Sequence, residues 1–247
     1  MATHTNNYNN RVALITGGTK GIGLEVARQL AYKGIQVLIG SRNETQGEQV
    51  AEQLAAEHLP VTYIVIDVTD PATIELAVTE VANAYGRLDV LINNSSLFLK
   101  ETRPSEVPLE MLRKNFDVNL FGAFAVTKAF LPLLRQSSSA CVVNISNALG
   151  CFYYQNLAGD STRHLAFSVS KAALNMLTLL LAKDLEASKI KVNACALKLT
   201  PTDLINFHSH NHAVEVAIRS IVHVATLFED NGPTGKIFGQ DGEEYRW

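Results

Sequence analysis

A glycine-rich segment near the N-terminus has the residue types that a phosphate-binding loop requires. It reads TGGTKGIG over residues 16–23, between an apolar run and a predicted helix. Glycines let a backbone approach a pyrophosphate, and the N–H groups at the start of the helix meet its charge. A plain strand–turn–helix connection could use the same glycines, but the position after the first strand favours a dinucleotide site. We assign to it Gly17, Thr19, Lys20, Gly21, Ile22 and Gly23.

The end of the second predicted strand indicates which nicotinamide cofactor would fit. A site for NAD places an acid here to hold the ribose 2′-hydroxyl, whereas residues 40–43 read GSRN. Arg42 and Lys20 can instead bind a 2′-phosphate, the first as a fork and the second as a point charge. We therefore expect NADPH, with Ser41, Arg42 and Asn43 at its 2′-phosphate; the alternative is that both cations are ordinary surface residues.

Strand-like and helical segments alternate along almost the whole chain, a pattern typical of a parallel sheet. The predicted strands are Val12–Thr16, Gln36–Gly40, Val61–Asp67, Val90–Asn93, Ala140–Ser146, Lys191–Ala196 and Lys236–Gly239. The predicted helices are Ile22–Lys33, Glu44–His58, Pro71–Tyr85, Leu109–Leu134, Phe167–Ala187 and His212–Phe228. The sequence therefore predicts an α/β protein: a single-domain Rossmann fold over residues 11–247, with a doubly wound seven-stranded parallel sheet and helices on both faces.

Composition excludes several classes of partner. The chain has 247 residues, of which 47% are hydrophobic, and 21 basic against 24 acidic residues give a net charge of −3. We expect neither nucleic acid nor a membrane as a partner, because no basic field and no long uninterrupted apolar segment is present. The polar N-terminus, residues 1–10, is expected to be a flexible tail, and without a secretion signal we expect a cytoplasmic protein with its three cysteines reduced.

Motifs spread over residues 11–247 resemble those of the short-chain dehydrogenase/reductase family, especially its carbonyl-reductase-like members. The loop at 16–23 is similar to the family's TGxxxGxG, and Asp67 and Val68 match the pair that contacts adenine. The resemblance implies an NADPH or NADP cofactor. It also implies cofactor contacts for Asn93 and Ser95 in the motif NNSS (93–96), for Lys171, and for two threonines that follow the sixth strand, Thr200 and Thr202.

The catalytic half of the resemblance departs from the family at four places. Phe167 stands where the family has the tyrosine of YxxxK, and Asn147 stands where it has a serine. The family motif NNAG reads NNSS, and the Pro-Gly after the sixth strand reads Leu197-Lys198. A phenyl ring has no O–H, so the family's general acid is absent while Lys171 is kept. A single engineered substitution at Phe167 would account for only one of these departures.

The cofactor-binding motifs match the family and the catalytic motifs depart from it. Three hypotheses follow from this contrast. The first is an NADPH-dependent reductase of C=C or C=N bonds that works without a tyrosine, with Lys171, Asn119 and Asn147 as catalytic residues. The second is a cyclase, an isomerase or a pseudoenzyme that binds NADPH without net redox chemistry. The third is a carbonyl reductase with a replacement acid, for which the candidates are His164, Tyr153 and Tyr154.

The segments near 150–166 and 204–212 are expected to cover a small hydrophobic substrate, with Phe167, Tyr153 and Tyr154 in the pocket wall. His208, His210 and His212 alternate in the second segment, but no Cys or carboxylate stands at a matching spacing, so we expect no metal site. The two longest helices are apolar on more than one face. This pattern is typical of a homodimer or homotetramer interface and equally of buried central helices.

Overall fold

The computed structural model describes residues 10–99, 103–153, 164–198, 212–228 and 231–245. Most of the predicted N-terminal tail lies outside this range. So do Tyr154, Thr200, Thr202, His208 and His210, together with most of the two segments expected to cover the substrate.

One sheet of eight strands forms the centre of the fold, in the order β3-β2-β1-β4-β5-β6-β7-β8. The strands are β1 Val12–Thr16, β2 Gln36–Ser41, β3 Val61–Val65, β4 Val90–Asn93, β5 Cys141–Asn147, β6 Lys191–Leu197, β7 Ile237–Gly239 and β8 Glu244–Tyr245. The first seven are parallel to their neighbours. Their near-continuous apolar residues suit strands that are buried on both faces.

The eighth strand corrects the prediction of a seven-stranded parallel sheet. It has two residues and pairs antiparallel with β7. The reason is a tight reversal after Gly239, whose N–H donates to the carbonyl of Glu243. The ring of Tyr245 packs over Gly239, where an added Cβ would lie 2.1 Å from a ring carbon. Strand β8, with its two residues, is too short to show the period-two alternation by which a strand is predicted from sequence.

Helices cover both faces, as the doubly wound prediction requires. They are α1 Gly21–Tyr32, α2 Glu44–Ala56, α3 Pro71–Tyr85, α4 Leu109–Phe116, α5 Ala123–Leu134, α6 Leu165–Asp184 and α7 His212–Ala225. One core cluster joins α1, α2 and α7 to the sheet, and a second joins α3, α5 and α6 to its other face. The three cysteines are buried free thiols, in agreement with the prediction.

The predicted helix Leu109–Leu134 consists of α4, a π-helical segment over Asp117–Gly122, and α5. Gly122 permits close contact with the chain after β3, because an added Cβ would lie 2.7 Å from a methyl carbon of Val68. π-helical turns inside α-helices are frequent at functional sites. The segment contains Asn119, one of the predicted catalytic residues.

The continuous stretch from α4 to α5 and helix α6 are each long and apolar enough to cross a membrane by length and composition alone. In each, 44% of the most apolar window is buried inside the protein. Side chains of α5 and α6, including Phe130 and Ala182, join the core on one face of the sheet. Packing against the sheet therefore accounts for apolar side chains of both helices.

Candidate active site

A cleft of about 500 Å³ opens at the carboxyl ends of the central strands. This is where ligands bind in open α/β sheets, and the volume lies in the range of small-molecule sites. Most of the predicted site residues line it: Gly17, Thr19, Lys20, Gly21, Ile22, Gly23, Ser41, Arg42, Asp67, Val68, Ser95, Asn147, Phe167 and Lys171.

The glycine loop between β1 and α1 is built for the close approach of a ligand. Gly17 and Gly21 have φ of +63° and +57°, in the left-handed region that favours glycine. An added Cβ at Gly23 would lie 2.5 Å from Nδ2 of Asn94 and 2.7 Å from the carbonyl of Gly17. No side chain caps the start of α1. The loop and the helix N-terminus therefore fit a pyrophosphate group.

Asn94 fixes this loop to β4. Its Nδ2 donates to the carbonyls of Thr16 at 3.0 Å and Gly17 at 2.9 Å. Asn93 points to the other side: its Nδ2 donates to Thr127 and Asn144, and it does not line the cleft. The predicted cofactor contact of Asn93 is therefore wrong, and Asn94, which was not predicted, lines the cleft instead. Strand alternation could have separated them, since successive side chains of a strand face opposite sides.

The turn after β2 presents Arg42 to the cleft. Ser41 Oγ donates to the carbonyl of Asn43 at 2.7 Å, and Asn43 Oδ1 accepts from the N–H of Gln46 as the N-cap of α2. Asn43 therefore shapes the turn and does not line the cleft. Arg42 is exposed there, where its guanidinium can reach an anion.

The carboxylate of Asp67 is held rigidly after β3. One of its oxygens accepts from the N–H of Thr69 at 2.9 Å and from the hydroxyl of Thr69 at 2.7 Å. Its backbone N–H donates to the hydroxyl of Thr73. Asp67, Val68 and Thr69 line the cleft together, so this turn forms the wall expected beside an adenine ring.

Lys171 and Phe167 stand one turn apart on α6 at the opposite end of the cleft. Lys171 is 2% exposed, and its Nζ donates to the carbonyl of Ile145 at 2.7 Å. Burial lowers the pKa of Lys171 to about 7. Its Nζ lies 5.6 Å from the centre of the Phe167 ring, which meets Phe98 edge to face at 5.0 Å. The ammonium therefore faces an aromatic wall.

Asn147 ends β5 at the same end of the cleft. Its Oδ1 accepts from the N–H of Leu149 and caps the short 3₁₀ turn that follows. Within the described part of the chain, its Nδ2 has no hydrogen-bond partner, so this donor is available to a ligand. The neighbouring hydroxyl of Ser146 is buried and donates to Asn175 Oδ1 at 2.6 Å. Ser146 also lines the cleft, but its hydroxyl proton is held by Asn175.

Asn119 positions other elements and does not line the cleft. Its Nδ2 donates to the carbonyl of Leu97 and to Ser170 Oγ, each at 3.0 Å, and its Oδ1 accepts from the N–H of Leu97 at 2.7 Å. The hydroxyl of Ser96, which replaces the glycine of NNAG, also donates to this oxygen. Asn119 therefore ties the loop after β4 to α6, so we treat it as a positioning residue.

Two of the three candidates for a replacement acid, Tyr153 and His164, do not line the cleft, and the third, Tyr154, lies outside the described residues. Tyr153 is half-exposed and does not line it. His164 precedes α6, its ring centre lies 4.8 Å from that of Phe98, and its buried Nδ1 has no partner among the residues described. Within the same part of the chain no cluster of three or more His, Cys, Asp or Glu side chains could hold a metal.

Other residues that line the cleft were not predicted as site residues. Asn94, Ser96, Leu197 and Lys198 stand at motif positions that the sequence assigned no contact, and most of the others are apolar residues that reach the cleft through packing. The residues not predicted are Gln46, Ile66, Thr69, Asn94, Ser96, Leu97, Phe98, Val118, Ile145, Leu197 and Lys198, together with Gly40 and Ser146.

The fold and the cleft define an α/β protein with a dinucleotide-binding loop, and comparisons with known proteins identify the family. The family model for short chain dehydrogenase matches residues 11–213. Salutaridine reductase from Papaver bracteatum is 28% identical, over 92% of this chain and 94% of that protein. The (-)-isopiperitenone reductase from Mentha piperita is 30% identical, over 94% and 96%. The chain therefore belongs to the short-chain dehydrogenase family, whose members are nicotinamide-dependent oxidoreductases.

Solved structures agree on the fold. The structure of an NADPH-bound carbonyl reductase from chicken fatty liver superposes with a TM-score of 0.82 and 24% identity, over 97% of this chain and all of that one. Salutaridine reductase from Papaver somniferum superposes with a TM-score of 0.77 and 25% identity, over 92% and 99%. Both confirm the prediction of a Rossmann-type domain.

Proposed function

We propose that this protein is an NADPH-dependent reductase that acts on a C=C or C=N bond of a small hydrophobic substrate without a phenolic acid. The observation that carries the proposal is the contrast inside one cleft. The loop that would hold the pyrophosphate is intact, whereas the position of the family's proton donor holds Phe167. A cleft without any function would not require glycines at positions where a Cβ would collide with neighbouring atoms, as it would at Gly23.

The residues of the cleft fit NADPH from end to end. The glycine loop and the start of α1 would hold the pyrophosphate, and Arg42 with Lys20 would bind the 2′-phosphate. Asp67 and Val68 would contact the adenine. When bound, the cofactor supplies a hydride to a substrate carbon. The relative with a solved NADPH complex has the same fold, which supports this choice of cofactor.

Reduction of a simple ketone is disfavoured because negative charge builds on its oxygen. A general acid typically contributes about 10²–10⁴-fold to such a step. An iminium ion already carries its proton, and a conjugated enone accepts hydride at carbon, so neither requires a phenol at the oxygen. The walls near Phe167 are apolar, with Leu97, Phe98, Val118 and Leu197, which suits a hydrophobic substrate.

We also propose that the protein is a homodimer or homotetramer, assembled through the outer faces of α5 and α6. Large apolar side chains are exposed there: Phe124 by 41%, Met176 by 53% and Leu180 by 55%. Phe121, in the π-helical segment, is exposed by 55%. Large apolar side chains exposed on these helices favour an interaction surface, and most soluble oligomers are symmetric assemblies of identical chains.

A substrate panel tests the proposed activity. The purified protein is incubated with NADPH and, separately, with cyclic enones, cyclic imines and ketones of matched size, and the oxidation of NADPH is followed by absorbance. We expect turnover with an enone or an imine and little with ketones. Reduction of ketones alone would instead require a replacement acid, and tight NADPH binding without any oxidation would favour a cyclase or isomerase.

A further inference from the structure

The charges that line the cleft are unevenly distributed. Among the described residues, Asp67 is the only carboxylate in the wall, and it follows β3. Lys171 lies against β5, and β2, β1 and β4 separate β3 from β5. At the usual spacing of neighbouring strands this is a separation of about 19 Å. In the described part of the cleft, the charged residues at the Phe167 end are Lys171 and Lys198, and both are cations.

Among the described residues, the side-chain nitrogens that Asn147 and Lys171 present to a substrate at this end are donors. Asn147 has its oxygen engaged with Leu149, which leaves the N–H₂ group. Lys171 has three N–H groups and no acceptor, and the carbonyl of Ile145 takes one of them. A protonated imine brings an N–H donor and a positive charge, so among the side chains that the structure describes here it meets neither an acceptor carboxylate nor a favourable field. A carbonyl oxygen finds two donors and a cation.

We propose that the substrate is an α,β-unsaturated carbonyl compound whose oxygen is bound by Asn147 Nδ2 and Lys171 Nζ, and that Lys171 protonates the delocalised enolate after the hydride has been transferred. A simple ketone would give a localised alkoxide that has to be protonated as it forms, which is the role of the missing tyrosine. This inference rests on the proposed reductase function. It goes further by choosing the conjugated C=C bond over the C=N bond, and by naming the acid.

The reaction balances with NADPH as the reductant. A hydride, with its two electrons, forms a C–H bond at the β-carbon, and the electron pair of the C=C bond moves to give an enolate oxygen. One N–H bond of Lys171 breaks as the O–H bond of the enol forms. The neutral amine regains a proton from water, and the enol converts in water to the saturated carbonyl product. The substrate gains two electrons, which the cofactor loses.

Burial, and not a neighbouring charge, lowers the pKa of Lys171, as the groups that face it show. They include the carbonyl of Ile145 from β5, the ring of Phe167 on α6, and Gly150, whose Cβ position would touch Lys171. Asn147, at the end of β5, lines the same cleft. Lys198, at the end of β6, is an exposed cation in the same cleft. No described carboxylate contributes to the lowered pKa of Lys171, so its ammonium gives up a proton near neutral pH.

A matched pair of substrates separates the two bond types. A six-membered cyclic enone and a six-membered cyclic iminium salt are each incubated with NADPH, and product formation is followed by mass spectrometry. We expect kcat/KM for the enone to exceed that for the iminium salt by on the order of 100-fold. The iminium ion carries the same sign of charge as the Lys171 ammonium, whereas the enone develops negative charge on its oxygen. Preferred reduction of the iminium salt would overturn this inference and leave the proposed function standing. Reduction of neither would overturn both.

Binding of a phenol tests Lys171 without turnover. The phenolate of 4-nitrophenol is a planar oxyanion that absorbs visible light, and it is titrated into the NADP-loaded protein at several pH values. We expect the wild type and Lys171→Arg to hold the phenolate form, and Lys171→Met to lose at least tenfold in affinity for it. Lys183→Met, an exposed residue on the same helix, is the matched control and should bind like the wild type. Equal phenolate binding by Lys171→Met would refute the role of Lys171 in binding the oxygen.

Turnover of the enone then separates charge from proton donation. Lys171→Arg keeps the positive charge but does not release a proton in the accessible pH range. We expect it to keep the KM of the wild type, to lose kcat, and to lose the decline of kcat above neutral pH. Unchanged kcat in this variant would show that Lys171 is not the acid.

Discussion

Restoring a phenol at position 167 should restore the reduction of simple ketones. Phe167 lines the cleft and its ring centre lies 5.6 Å from Lys171 Nζ. With that distance as the charge separation and an effective dielectric constant of 20, the ammonium would stabilise a phenolate by about 3 kcal/mol. This energy corresponds to a pKa about two units below the usual value of a tyrosine, near 8. Phe167→Tyr would thereby gain an acid that is active close to neutral pH.

The assay is the oxidation of NADPH with cyclohexanone, measured for the wild type, Phe167→Tyr and the control Phe98→Tyr. The control adds the same hydroxyl to the neighbouring ring of the cleft, which meets Phe167 edge to face. We expect the rate to rise by about 10²–10⁴-fold in Phe167→Tyr alone. If Phe167→Tyr binds NADPH as tightly as the wild type and still reduces ketones no faster, the reasoning from the missing hydroxyl is wrong.

Four further predictions follow from the cleft and the helix surface. Lys171 has a folded-state pKa of about 7, below its ordinary 10.5, so its charge destabilises the fold fully below pH 7 and the penalty disappears as the pH rises towards 10.5. Lys171→Met should therefore be more stable than the wild type in urea at pH 6.5, by at most about 5 kcal/mol, and the difference should shrink at pH 9.5. Arg42→Ala should raise the Kd of NADPH by roughly 10- to 150-fold, from the loss of a charged hydrogen bond, and leave the Kd of NADH unchanged by calorimetry. Gly23→Ala should weaken NADPH binding by at least about tenfold, because its Cβ would lie 2.5 Å from Nδ2 of Asn94 and force the loop apart; an unaltered Kd would contradict this. Met176→Glu should convert the oligomer to a folded monomer in light scattering, since a charge on the α6 surface cannot be buried unpaired; an unchanged mass would place the interface elsewhere.

The sequence predicts the fold well because its signals are local. The strands Val12–Thr16 and Val90–Asn93 and the helix Pro71–Tyr85 have the bounds that were predicted. The helix starts after Asp70, which caps it, and has Pro71 in its first turn. These are residue types whose preference is decided within a few positions.

The sequence does not predict features that depend on tertiary contacts. The π-helical segment around Asn119 follows from the bonds of this side chain to Leu97 and Ser170, which are far apart in the chain. The antiparallel strand β8 depends on the contact of Tyr245 with Gly239.

The site divides in the same way. The glycine spacing, the residues after the second strand and the family resemblance predicted the glycine loop, Arg42 and Lys171 for the site, and all of them line the cleft. The sequence could not show that the side-chain amide of Asn119 is hydrogen-bonded to the loop after β4. Nor could it show that Asn43 caps a helix. Phe98 had no motif at all and reaches the cleft only through its packing on Phe167.

The most direct test of the account is deuterium transfer from the cofactor in a single turnover. The protein, in excess over the substrate, is mixed with NADPH deuterated at C4, on each face in separate experiments, and a cyclic enone, and the product is analysed by NMR. The account predicts one deuterium at the β-carbon from one of the two labelled forms. Binding of NADPH with no deuterium in any product would contradict the claim that this cleft transfers hydride without a phenol.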